Sequence, residues 1–351
     1  MRETPIAYYA SLVIPASVAT GSLLYGAWSY LAVAIAFVAI PLLDLLNWEE
    51  TGRYSREDIR QSNRLLLFRI VPLVYATAQL LLIVWVCSRV ASGECTILEF
   101  IGLTLSMGIA TGGVGIAVAH ELIHKTTNFE RIMGKAMLML ACYMHYFIEH
   151  NAGHHTHVAT PADPSSARFG ESFYRFLPRT LIGSYTSAWK IEKRRLQKKF
   201  GKGAWNYRNK MLQFGVLPII FFGTLAVIFG WLVIPFALGQ AFLACTILEV
   251  INYVEHYGLQ RKKLENGRYE PVGARHSWEA NSRLSNIVFF RFQRHADHHL
   301  HPSRNYHVLQ PMDESPKLPA GYPAMAVLAF APPLWMKVMN PIVKQMAYPN
   351  D

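Results

Sequence analysis

Charge is scarce in this sequence: only 16% of its 351 residues are Asp, Glu, Lys or Arg, against roughly 25% in an ordinary soluble protein. Cysteine is scarcer still. The four present, Cys87, Cys95, Cys142 and Cys245, are scattered without a Cys-x-x-Cys pair, which excludes a zinc ribbon, a rubredoxin domain within the sequence and a disulfide scaffold. There is no flavin fingerprint, haem motif or Cys₄ cluster, so electrons for any redox chemistry must come from another protein. No internal repeat and no low-complexity tract is present. The apolar N-terminal residues lack a following Ala-x-Ala cleavage signal and are expected to be helix, not signal peptide. What is abundant is apolar surface and histidine: 52% of residues are hydrophobic and 14 are His. The net charge of +11 suits nucleic acid or an anionic membrane face. Because the basic residues are interleaved with apolar runs, a membrane is expected and nucleic acid is not.

The apolar runs set the topology. Ile6 to Leu43 holds no charged residue over 38 positions, which as helix would extend roughly 57 Å. That is nearly twice the ~30 Å hydrocarbon core, so two passes with a turn near Gly21–Gly26 are predicted. A polar connector with Arg53, Arg56, Arg60, Arg64 and Arg69 follows. Met211 to Ile251, 41 residues with Glu249 the only charge, is a second hairpin turning near Gly230–Pro235. The spans expected are 6–23, 27–44, 70–88, 100–119, 212–230 and 233–251. Arg168–Lys210 carries twelve Lys/Arg, whereas the loops on the other side hold only Arg89. Cation asymmetry therefore puts both termini and every histidine motif in the cytoplasm. Two further apolar stretches are not counted as spans. Ile132–Phe147 is too short between charges and reads as a buried or re-entrant helix, and Leu318–Met336, with Pro319, Pro323, Pro332 and Pro333, reads as an interfacial or docking segment.

Histidine is concentrated in four motifs: His120-Glu-Leu-Ile-His124, Glu149-His150-Asn-Ala-Gly-His154-His155, Asn252-Tyr-Val-Glu-His256 and Gln293-Arg-His295-Ala-Asp-His298-His299. Spacings of three and four place imidazoles on one helix face, and Glu149, Glu255 and Asp297 are neighbours that could orient them. Nine histidines exceed what one reactive metal accepts, so two metals with four or five imidazoles each are expected. All-nitrogen ligation is compatible with Fe, Zn, Cu or Ni. His145, His157, His276, His301 and His307 fall outside the pattern and are expected to play hydrogen-bonding or packing roles.

Three chemistries compete for such a site. His120-Glu121-x-x-His124 matches a zinc metalloprotease, with Glu121 as general base, but leaves seven motif histidines unexplained. Metal transport would place ionisable groups near the bilayer midplane, whereas these spans are almost free of them. Oxygen chemistry at the mouth of an apolar bundle remains, and attack on an unactivated C–H bond points to iron.

His-Glu-Leu-Ile-His-Lys (120–125), Glu-His-Asn-Ala-Gly-His-His (149–155), Asn-Tyr-Val-Glu-His-Tyr-Gly-Leu (252–259) and Gln-Arg-His-Ala-Asp-His-His (293–299) resemble the signatures of bacterial membrane-bound alkane monooxygenases. Ala-Thr-Pro-Ala-Asp-Pro (159–164), Gly-Glu-Ser-Phe-Tyr (170–174) and His-Ser-Trp (276–278) fit as well. The resemblance implies a single-domain, all-α integral membrane protein over residues 1–351. It would have six transmembrane helices, cytoplasmic catalytic regions at 120–210 and 252–351, and a His-rich di-metal site at the cytoplasmic end of the bundle. It implies O₂-dependent terminal hydroxylation of alkanes by two non-haem irons held by His120, His124, His150, His154, His155, His256, His295, His298 and His299. Electrons would come from rubredoxin, reduced by an NADH-dependent rubredoxin reductase, and the membrane would be the bacterial inner membrane. The basic Arg168–Lys210 surface would steer an acidic rubredoxin. His157 stands where members of the family have Asp. Ala36 lies where a bulky residue in some members blocks the substrate channel, so a deeper channel is expected. Xylene monooxygenases and membrane desaturases share the scaffold; Gln-Arg-His-Ala-Asp-His-His favours alkanes.

Overall fold

Helices satisfy their own backbone N–H and C=O groups, the requirement hydrocarbon imposes on any segment that crosses it. In the computed structural model, which describes residues 3–46 and 49–347, six helices are long and apolar enough to cross a membrane: Pro5–Leu24, Gly26–Asp44, Leu66–Ala91, Ile97–Ile123, Lys210–Phe229 and Val233–His256. Among the described residues there is no β-strand, only isolated bridges such as Glu279 with Lys317. This is the all-helical, six-span architecture the apolar runs predict. The first hairpin reverses at Tyr25 and Gly26, both at φ 55°, and the last turns at Gly230, φ 124°. Leu81, Ile219, Val227 and Phe242 lie exposed on the outer face, where lipid covers them.

The fourth span positions the site. It opens on a capping box: Glu99 N–H donates to Thr96 Oγ1 at 3.3 Å and Thr96 N–H to Glu99 Oε2 at 2.8 Å. Midway, Ala110–Gly115 forms a π-helical turn. Such a turn displaces the i→i−4 bonds, and the Tyr75 hydroxyl donates to the Ala110 carbonyl at 3.0 Å. Beyond it the helix continues to Ile123, so His120 sits inside its last turn, not beyond the span as 100–119 implied. The sixth span likewise ends on His256 itself. These two spans cross closely because Gly112 has no side chain: a Cβ there would lie 2.5 Å from Ala244 Cα.

The fourth and sixth spans end at the face where the fifth begins, and the segments between and after them gather there. The helix Asn128–Leu140 packs on the end of the fourth span, and Arg69 donates to both Glu130 oxygens at 3.2 and 3.1 Å. Residues 132–147 do not cross: His124 and His150, on either side of them, stand 3.1 Å apart between Nε2 atoms. A long basic helix, Phe173–Phe200, follows. In the C-terminal segment, Pro323 falls in the first turn of Tyr322–Ala329 and Pro332 opens Pro332–Ala347, so these prolines start helices. Both helices dock on a second core built around buried Trp278, Trp335, Tyr253 and Tyr257.

The tight crossing makes a measurable prediction. Gly112→Ala should cost about 1–3 kcal/mol through overpacking, read as a lower melting temperature of the solubilised protein. Gly223→Ala, where a Cβ would meet nothing within 4 Å, should leave stability unchanged or slightly raised.

Candidate metal centre

Nine buried or half-buried imidazoles meet at this face in two groups. His120, His124, His150, His155 and His298 form one; His154, His256, His295 and His299 form the other. Within each, one ring nitrogen per residue lies within 4.8 Å of all the rest. In the first group, Nε2 atoms run in a chain from His124 to His150, His155 and His298, each step 3.1 Å, and the buried Nε2 of His120 makes no hydrogen bond. In the second, Nε2 distances are 3.2 Å for His154–His299, 3.2 Å for His256–His295 and 2.9 Å for His295–His299. The groups adjoin, with the His155 and His299 ring centroids 4.7 Å apart.

These contacts are not a hydrogen-bond network. His256 Nδ1 faces the His276 carbonyl at 3.1 Å, and a carbonyl only accepts, so Nδ1 carries the proton. His154 Nδ1 donates to Asp163 Oδ2 at 2.9 Å. Both Nε2 atoms therefore present bare lone pairs to other imidazoles. Lone pairs held near 3 Å in a buried site repel unless a cation lies between them, and ligands about 2.0–2.1 Å from one ion at right angles would stand about 3 Å apart. The donor set fits two metal ions.

The division between groups depends on local helix geometry. An α-helix sets residues five apart roughly 140° around its axis, and spacing alone would pair His150 with His154. Instead His150–His154 is a π-helical turn, whose i→i+5 hydrogen bonds wind the chain more widely, so that His155 comes round to join His150 in one group while His154 falls in the other. Gly153 inside it leaves room for Glu149: a Cβ there would lie 2.4 Å from Glu149 Oε1, and the carboxylate would have to move. On the helix of the fourth motif, His295–Leu300, His295 and His299 share the four-membered group while His298 falls in the five-membered one.

The carboxylates adjacent in sequence are placed variously. Glu255 Oε2 lies 3.3 Å from His295 Nε2. Glu149 is buried beside Gly153, and burial, reinforced by Asp163, pushes its carboxyl up to about 8. Asp297 faces away from the imidazoles: it accepts from Arg304, from His301 Nδ1 at 2.9 Å and from Gln310 N–H at 2.9 Å, holding the last motif to the following loop. The carboxylate that does orient an imidazole, Asp163, was not singled out by sequence reasoning. Burial alone would raise its pKa, but His154 and the Ser166 hydroxyl hold it below the usual range. Its signal was the Pro161-Ala-Asp-Pro164 turn, too far along the chain to read as a partner of His154. Glu121 bonds Lys125 and accepts from Tyr306 N–H at 3.2 Å, so it is not poised as a metalloprotease base. His307 stacks on Phe68 at 4.0 Å, His145 packs on Tyr143, and His157 is exposed, all outside both groups.

An apolar cavity ends beside the imidazoles. Ala36 of the second span lines it, with Gly112, Gly113 and Ala117 of the fourth, Ile251 of the sixth and Phe292. The Phe292 ring stands 4.9 Å from that of His120 and 5.8 Å from that of His295, between cavity and metal groups.

Comparison with known proteins matches this site to a family. A sequence model described as fatty acid desaturase covers residues 97–329, which contain all nine histidines. Alkane 1-monooxygenase 1 of Pseudomonas aeruginosa is 44% identical over 321 residues, 90% of this chain and 83% of the relative. Alkane 1-monooxygenase 2 of the same species is 39% identical over 346 residues, 97% of this chain and 88% of the relative. The chain belongs to the membrane-bound alkane 1-monooxygenase family. The hydroxylase component of a Pseudomonas putida xylene/toluene monooxygenase is more distant, 26% identical over 332 residues, 95% of this chain and 87% of that protein.

Two predictions follow from the family's buried imidazoles as they stand here. Wild-type protein should carry two metal ions per chain by elemental analysis; His299→Ala or His256→Ala should lose at least one, and His307→Ala should retain both. Asp163→Asn, which weakens the orientation of His154, should lower metal affinity by about 10–100-fold. Protonation provides the second. Burial, with Lys125, pulls His124 down to about 3, and burial, with neighbouring imidazoles, pulls His155 down to about 2. His150, His295, His298 and His299 are lowered well below 6.5 for the same reasons. His154 alone of these shifts upward: burial lowers it, but Asp163, with Glu149 and Glu249, more than offsets that. Below about 6.5 the unfolded chain binds more protons than the folded one at six of these seven groups, so stability is full above that pH and falls as acid is added. Melting temperatures of metal-stripped protein should drop between about pH 7.5 and about pH 5, and a flat profile would contradict the neutral-imidazole assignment.

Proposed function

We propose that this protein hydroxylates the terminal methyl group of alkanes, using O₂ at a non-haem di-iron centre and electrons from rubredoxin. The observation that carries the reading is the placement of two all-imidazole groups beside an apolar cavity, with the Phe292 ring against His120 and His295, inside a bundle of six helices apolar enough to cross a membrane. The names of its relatives support alkanes as the substrate class. His120, His124, His150, His155 and His298 would hold one iron, and His154, His256, His295 and His299 the other. Bound iron would supply the reduction of O₂, by which R–CH₃, O₂, two electrons and two protons become R–CH₂OH and water.

The protein's own residues do the rest. Each methylene that leaves water or lipid headgroups for the cavity contributes up to about 0.8 kcal/mol, so a linear chain binds by length and not by polar contacts. The cavity wall is nearly all hydrocarbon, from Ala36 through Ile109 and Ile247 to Phe292, and offers a chain no polar anchor along its sides. It admits the chain end first, which selects the terminal carbon. Phe292 keeps water from the reacting end. Asp163 holds the Nδ1 proton of His154 and the His276 carbonyl that of His256, so their Nε2 lone pairs stay available.

Electrons and orientation follow the charge. Glu171 and Glu192 are already engaged by Arg179 and Arg195, leaving Lys190, Lys193, Arg194, Lys198 and Lys199 along Phe173–Phe200 as a basic surface on the histidine side. Such a surface suits acidic rubredoxin, reduced by an NADH-dependent reductase, at rates that fall with ionic strength. The same cations favour a cytoplasmic site in the bacterial inner membrane.

The decisive assay combines purified protein, rubredoxin, its reductase and NADH with medium- and long-chain alkanes and xylenes. Iron by elemental analysis and 1-alkanols as products are expected; alkenes would indicate a desaturase, and preferred turnover of xylenes an aromatic-methyl hydroxylase. Because Ala36 lines the cavity, Ala36→Trp should shorten the preferred alkane and reduce turnover of the longest substrates by at least about tenfold. An unchanged chain-length profile would sink the channel assignment.

A further inference from the structure

Three cations converge on one aromatic ring at the edge of the membrane. Arg131 and Lys135, four apart on the helix Asn128–Leu140, and Lys210, the first residue of the fifth span, lie 5.3, 5.6 and 5.5 Å from the centroid of Phe147. They line a cavity of about 300 Å³ whose other walls are Asn128, Ile132, Gln213 and Phe214, with no acid among them. The arrangement is costly. Like charges at i and i+4 repel, and a ring has only two negative faces with which to offset three cations. Partial burial and mutual repulsion lower the pKa of Lys135. The nearby acids are engaged elsewhere: Glu130 accepts from Arg69 at both oxygens and from the Thr127 hydroxyl, and Glu192 is bound by Arg195 at 2.6 Å. Glu192 does accept the Lys210 backbone N–H, at 2.8 Å.

The surroundings say what completes the charge. Lys210 opens a span whose next turns expose Val216, Leu217, Ile219 and Ile220 to lipid, and Ile132 and Phe129 stand exposed beside the cations. An anion bound here therefore sits at headgroup depth with apolar side chains running from it into hydrocarbon. Basic pockets between membrane helices bind anionic headgroups in this way. We infer that Arg131, Lys135 and Lys210 form a binding site for the phosphate of an anionic phospholipid, its acyl chains lying along the fifth span. The site is separate from the substrate cavity and does not depend on the alkane reading. It stands on the charge geometry and on the six-span fold.

The test compares full-length protein with the triple variant Arg131→Gln, Lys135→Gln and Lys210→Gln, and with a charge-matched control, Lys193→Gln, Lys198→Gln and Lys202→Gln. Delipidated samples are titrated with phosphatidylglycerol, phosphatidylcholine or inorganic phosphate, and binding is read by native mass spectrometry and by the shift in melting temperature. At about fivefold per cation, wild type and control should hold phosphatidylglycerol on the order of 100-fold more tightly than the triple variant does. Phosphatidylcholine should show little preference among the three. Equal retention of phosphatidylglycerol by the triple variant would overturn the site. So would stabilisation by inorganic phosphate that matches or exceeds that of the lipid, since the ligand would then be a free anion. Should the triple variant fail to fold, Lys135→Gln alone must still lower phosphatidylglycerol affinity several-fold relative to Lys198→Gln.

Discussion

Nine buried or half-buried imidazoles gathered in two groups, eight of them with an Nε2 atom 2.9–3.2 Å from another, are the constraint on which the rest of this structure depends. Without cations the arrangement is repulsive, so the scaffold must hold it against its own preference. The fourth and sixth spans supply rigid rods that end on His120 and His256, and their closeness rests on Gly112. The last motif is fixed by buried guanidiniums. Arg291 donates to Tyr8 Oη at 2.8 Å and the Leu309 carbonyl at 2.9 Å, and also bonds Glu50 and Tyr54. Arg294 bonds Asn281 and the Glu50 carbonyl. These buried charges tie the first span and the 49–54 loop to the fourth motif, and removing one partner of such a group is far more costly than the pair is stabilising.

The same logic explains where polarity is admitted inside the spans. Tyr75 serves a carbonyl at the π-helical turn of the fourth span, Gln79 bonds Thr111 at 3.1 Å, and Gln240 reaches the Leu140 carbonyl at 2.6 Å. Each of these three side chains answers a backbone or hydroxyl group in the apolar interior. The cavity is made by the opposite device. Gly112, Gly113, Ala117 and Ala36 withhold side chains where the spans would otherwise close up.

Much of this was legible in the sequence. Charge-free runs gave the number of crossings because length against bilayer thickness leaves little choice, and dense histidine motifs pointed to two metals. The partition of the histidines was not legible. It hinges on a π-helical turn at His150–His154, and sequence spacing read as α-helix pairs the wrong residues. Sequence adjacency also misdirected the choice of orienting carboxylates. Asp297 turns out to brace a loop, while Asp163 reaches His154 only because the chain folds back at Pro161–Pro164. Phe292 shows the same difficulty: its place between cavity and imidazoles is a property of packing that no motif announces.

The reliance of both imidazole groups on the final motif also dictates an order of events during synthesis. The five-membered group is incomplete without His298, and the four-membered group without His295 and His299. A nascent chain that has threaded its first five spans into the bilayer thus exposes His120, His124, His150, His154 and His155 in mixed, half-built sets. Neither imidazole group has its full set of donors until the ribosome has passed residue 299 and the sixth span is in place.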